Sequence, residues 1–89
     1  MNYYTMELIA TTQKSYYGKA VIISNDKGVF LKSYNTIVCG FVGGKFKRFW
    51  NDYSVTTMKH INDFIRLFGM DAGGKKWWMS QKVYDFEEV

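Results

Sequence analysis

The sequence predicts an α+β domain: an antiparallel sheet of about five or six strands with one amphipathic helix, at about residues 54–68, packed on one face. Three observations predict it. Apolar side chains recur at a helical period in one stretch only, at Met58, Ile61, Phe64, Ile65 and Phe68. Short β-branched and aromatic runs fill most of the remaining chain. Glycines and an Asn-Asp pair separate those runs at hairpin spacing, in a chain with no proline to make its turns.

Residues 4–10 alternate Tyr4, Met6, Leu8 and Ala10 against Thr5, Glu7 and Ile9, the pattern of a half-buried first strand. Residues 13–18 form a connection closed by Gly18, and KAVIIS, residues 19–24, is a β-branched run suited to a well-buried strand. Asn25, Asp26, Lys27 and Gly28 turn the chain into VFLKSY, so residues 19–34 make an antiparallel pair. TIVCGFV and KFKRFW flank Gly43-Gly44 as a second hairpin. With the glycines as the loop, Val42 faces Lys45, Phe41 faces Phe46, and Cys39 shares a face with Arg48. A slip of one residue would exchange every face.

The helix has its own start and stop signals. Ser54 as N-cap offers its hydroxyl to a backbone N–H, with Tyr53 before it placed to pack on Met58; Asp52 and Thr56 are alternative caps. Lys59, Asn62, Asp63 and Arg66 fall opposite the apolar arc, and Gly69 supplies a left-handed stop. After a loop at 71–74, residues 76–85 read as a final strand, with Trp77 and Met79 on one face and Trp78, Ser80, Lys82 and Tyr84 on the other. The acidic tail 85–89 is expected to fray.

Residues 1–89 suit a single domain with one small core. With 47% apolar and 19% aromatic residues, the composition is that of a folding chain. Cys39 has no second cysteine to pair with, and no signal peptide or long apolar run is visible. A soluble, intracellular protein without membrane partners is the expectation.

Chemistry-bearing residues are sparse. One histidine, His60, and one cysteine do not make a metal site, and no cofactor motif is present. A Cys39/His60 nucleophile pair would depend on the fold; by sequence Cys39 reads as a small core residue and His60 as a helix-boundary residue. Gly43-Gly44 and Gly73-Gly74 lack phosphate-loop spacing, and Asp52, Asp63 and Asp71 are scattered. The expectation is a non-enzymatic protein.

Basic residues interleaved with aromatics are the strongest surface signal: Lys45 to Trp50, and Lys75, Lys76, Trp77 and Trp78. The net charge is +4 and the pI about 9.2. The same alternation also arises in a strand whose aromatics are core and whose lysines are its solvated face. Adjacent tryptophans on a strand point opposite ways, so one of Trp77 and Trp78 should face solvent or a partner. Tyr16 and Tyr17 offer a second aromatic pair. The candidate partner-binding residues are Lys45, Lys47, Arg48, Lys75, Lys76, Trp77, Trp78, Tyr16 and Tyr17.

SYNTIV, residues 33–38, and YSVTTMKHINDFI, residues 53–65, resemble a family of very small, largely uncharacterised proteins of phages and mobile elements of Gram-positive bacteria. Ser33, Tyr34, Thr36, Tyr53, Ser54, Thr56, Thr57, His60 and Ile61 match its S-Y-x-T strand and its Y-S-x-T-T-x-x-H-I helix start. The resemblance covers about residues 19–69 and carries no catalytic residue. By genomic habitat it implies an inhibitor of anti-CRISPR type in the cytoplasm of a bacterial host. Its partner would be a host defence protein such as a CRISPR nuclease or its guide-RNA complex. The basic balance excludes acidic DNA mimicry as the simple mechanism. Two other readings are a small basic nucleic-acid-binding protein and an accessory phage protein that forms homo-oligomers through a free sheet edge.

Overall fold

The computed structural model describes residues 4–7, 18–71 and 73–89. Five strands pair antiparallel in chain order, β1 (Tyr4–Glu7), β2 (Ala20–Ser24), β3 (Gly28–Ser33), β4 (Thr36–Val42) and β5 (Lys45–Arg48). Helix α1 (Val55–Arg66) lies across one face, followed by a short helix α2 (Lys75–Ser80) and a 3₁₀ turn (Phe86–Glu88). The class is α+β, with an antiparallel sheet and a helix on it.

Turn chemistry sets the second hairpin. Gly43 and Gly44 have φ of +60° and +80°, the left-handed values a two-residue hairpin turn demands. The pairs Val42↔Lys45, Phe41↔Phe46 and Cys39↔Arg48 follow, the expected register. Between β3 and β4 the register shifts after Leu31, leaving Val38 without a partner on β3. This bulge turns both Val38 and Cys39 into one core cluster.

Helix α1 begins where the sequence marks it. Ser54 is extended, and its hydroxyl accepts the Thr57 N–H at 3.0 Å. Met58, Ile61, Phe64 and Ile65 are buried against Ala20, Ile22, Leu31, Val38 and Cys39. Two positions depart from the expected arc. Phe68 lies beyond the last helical residue and is 43% exposed, its ring 4.5 Å from that of Phe41. Asp63, assigned to the polar side, is buried, since a helix places it one turn from buried His60 and beside Phe64; its carboxylate accepts from Arg66 at 3.0 Å.

The strand expected over residues 76–85 is absent. Residues 75–80 are helical, and beyond them Val83 makes a single parallel bridge to Arg48, so no sixth strand forms among the described residues. Of the expected first strand, residues 8–10 lie outside the described residues.

The second face of the sheet has its own small aromatic cluster. Phe30 is fully buried there, with Phe49 5.9 Å and Phe86 5.1 Å from its ring. Its seat is Gly40, its partner on β4: a Cβ there would come 2.5 Å from Phe30 Cδ1 and 2.8 Å from the Val29 oxygen. Phe86 belongs to the tail expected to fray.

Candidate functional site

Strand β5 sends its side chains two ways. Phe46 and Arg48 point toward α2, and Lys45 and Lys47 therefore point from the opposite face. Phe46 sits 5.4 Å from the ring of Trp77 and 5.6 Å from that of Phe41.

Arg48 is 3% exposed, which removes it from the partner-binding set. Its Nε donates to the main-chain oxygen of Trp50 at 2.8 Å and its Nη1 to the main-chain oxygen of Gln81 at 3.2 Å. The guanidinium lies 4.7 Å from the Trp78 ring centre, and Nη2 reaches the Met79 sulfur at 3.5 Å. Its own main-chain oxygen accepts the Tyr84 N–H at 2.7 Å. Burial lowers its pKa from the ordinary arginine value. Arg48 is thus an internal clasp between β5 and the C-terminal segment. The register already hinted at this, since it sets Arg48 opposite buried Cys39.

Trp78 is also removed from the surface. It is fully buried, and its Nε1 donates to the main-chain oxygen of Asp52 at 2.7 Å. Neighbours on a helix diverge by about 100°, not the 180° of a strand, so both tryptophans can turn toward the core. Trp77 is half-buried between Phe46 and Gly73.

The lysines divide into two groups on either side of the β5 edge. Lys47 and Lys82 lie 4.7 Å and 4.9 Å from the centre of the Tyr84 ring, with exposed Lys45 on the same face as Lys47. Lys75 lies 5.3 Å from the Tyr53 ring, beside exposed Lys76. Lys82 and Tyr84, read from sequence only as strand positions, therefore join the first group. Tyr16 and Tyr17 lie outside the described residues.

A polar cluster sits under α1. Ser33 Oγ is 2.8 Å from His60 Nδ1 and 3.1 Å from Thr57 Oγ1, and the Tyr34 ring lies 5.8 Å from the imidazole. His60 is 1% and Ser33 3% exposed, so His60 is core where a boundary residue was expected. Burial lowers the His60 pKa, with Lys19 adding to the effect and Asp63 opposing it. A serine and a histidine at this distance have the atoms of a nucleophile and its base, but both are enclosed, and the hydroxyl is shared with Thr57. Cys39 is fully buried, and burial pushes its thiol pKa well up. Among the described residues no three His, Cys, Asp or Glu side chains gather to hold a metal ion, and no helix is long and apolar enough to cross a membrane.

A family model described as a family of unknown function, DUF8033, matches residues 4–80. The chain belongs to the DUF8033 family. No curated protein and no solved structure matches it. The DUF8033 match takes in β1 to β5, α1 and α2, and with them Arg48, Trp78 and the Ser33–His60 cluster. It stops before Lys82, Tyr84 and Phe86. Within DUF8033 this chain therefore carries its first lysine group partly on β5 and partly on a segment beyond the family match.

Proposed function

We propose that this DUF8033 protein is a non-enzymatic binding protein that docks on an acidic protein surface through Lys45, Lys47 and Lys82 around Tyr84. The observation that carries this reading is the placement of Lys47 and Lys82 against one tyrosine ring. Two ammonium groups held by one aromatic side chain are pre-positioned for carboxylates, which lowers the ordering cost of binding. The enclosure of Ser33, His60 and Cys39 supports a non-enzymatic role.

The resemblance stated above directs the target class toward a host defence nuclease complex, in the cytoplasm of a bacterial host, with the protein acting as an inhibitor of anti-CRISPR type. Base stacking on single-stranded nucleic acid has less support. It needs open ring faces, whereas Tyr84, Tyr53 and Tyr34 each carry a lysine and Trp78 is buried.

The test is capture by tagged protein from lysate of a CRISPR-bearing bacterium, with and without nuclease treatment. The wild type is compared with Lys45→Glu/Lys47→Glu/Lys82→Glu. Expected is a nuclease complex that survives the treatment and is lost with the triple variant. Retention of nucleic acid alone, abolished by the treatment, would replace this reading with nucleic-acid binding.

A further inference from the structure

The second sheet face presents the lysines and also carries part of the chain's own C-terminal segment. Lys47 and Phe49 lie on that face two residues apart, and Phe86 rests on Phe49 at 5.4 Å and on Phe30 at 5.1 Å. Lys27 Nζ donates to the main-chain oxygen of Val89 at 2.6 Å, closing the other end of the segment. Tyr84, whose ring both Lys47 and Lys82 approach, leads into Asp85, Phe86, Glu87 and Glu88. An aromatic residue among three carboxylates is therefore already seated beside the basic group.

The seat is loosely filled. Phe86 remains 37% exposed, and a cavity of about 200 Å³ lies beside it, lined by Asn25, Lys27, Phe30, Glu87 and Val89. Asp85 spends a carboxylate oxygen on the N–H of Glu87, and the segment forms only one short 3₁₀ turn. Three of the chain's eight acidic residues lie in this segment, leaving five elsewhere against twelve Lys and Arg. Asp85, Glu87 and Glu88 follow Lys82 at three, five and six residues along the chain.

We infer that the Phe30/Phe49 seat is the docking groove for an acidic, aromatic-anchored segment of the partner protein, and that residues 85–89 occupy it as a self-ligand that the partner displaces. This rests on the reading of an acidic protein partner. A ligand that must displace a bound tail has an apparent Kd raised by the inverse of the fraction of time the seat is vacant.

The test uses full-length chains and the peptide Asp-Phe-Glu-Glu-Val, followed by backbone amide NMR shifts of Phe30, Gly40 and Phe49. Phe86→Ala should bind the peptide about fivefold or more tighter than wild type, Phe86→Leu should return toward wild type, and a peptide with alanine for phenylalanine should bind neither. In wild type, saturating peptide should move the Glu87 and Glu88 amides to free-chain shifts, a measurement that needs no variant to fold. Equal binding by wild type and Phe86→Ala, or tail amides unmoved at saturation, would overturn the inference. Poly-L-glutamate binding by the lysine triple variant separates the two readings. If it equals wild type, the basic-face reading fails; if it is lost while Phe86→Ala gains nothing, only the self-ligand fails.

Discussion

Ser33 Oγ lies 2.8 Å from Nδ1 of His60, and this bond ties the end of β3 to the middle of α1. A neutral ring with its proton on Nε2 accepts at Nδ1 from the serine hydroxyl, whereas a protonated ring has only donors to offer. Burial favours the neutral ring.

The pH dependence follows from that preference. The folded-state pKa of His60 lies below its ordinary 6.5, so the unfolded chain takes up the proton first as pH falls. The His60 contribution is complete above about pH 6.5 and is lost as pH drops from there toward the folded value. Urea midpoints from pH 8 down to about 5 should fall in wild type, and His60→Gln should flatten that part of the slope. A wild-type curve that rises on acidification through this window would reverse the assignment.

Arg48→Ala should cost about 2–4 kcal/mol in urea unfolding, because it leaves the Trp50 and Gln81 oxygens without their donor in a nearly closed site. Lys45→Glu and Lys47→Glu should stay within about 0.5 kcal/mol of wild type. Equal losses at the three positions would deny Arg48 its separate role.

Gly40→Ala should destabilise by about 1–3 kcal/mol, because the new methyl meets the Phe30 ring and the Val29 oxygen. Pairing it with Phe30→Leu should recover part of the loss, which thermal melts of the two single variants and the double variant would reveal.

Cys39 should ignore a thiol reagent at neutral pH in the native protein and react once per chain in denaturing guanidinium. Rapid native labelling would mean that β4 opens far more readily than its buried position suggests.

These elements differ in how plainly the sequence shows them. Ser54 and the Gly43-Gly44 pair were legible because their chemistry leaves the backbone few choices: a cap needs an acceptor, and a two-residue hairpin needs positive φ. The six residues of α2 were not, because KKWWMS is shorter than two helical turns and its polar-apolar order fits a strand equally well. That one ambiguity put one of Trp77 and Trp78 at the surface, and Lys82 and Tyr84 on a sixth strand. Arg48 was misplaced for another reason. Charge alone argued for solvent, and only tertiary packing brings the Gln81 and Trp50 oxygens to its guanidinium. His60 was hidden likewise, since the hydroxyl that meets its ring is supplied by Ser33 on β3, 27 residues away.

The bridge from Val83 to Arg48 also bears on how copies of the chain behave when crowded together. An edge strand with open amides and carbonyls is a template for another strand, the usual first step toward fibrous aggregates. Here the Arg48 carbonyl is already taken by Tyr84, and β5 is only four residues long. That end of the sheet offers too short a ladder to propagate, so concentrated solutions should resist strand-on-strand polymerisation from this side.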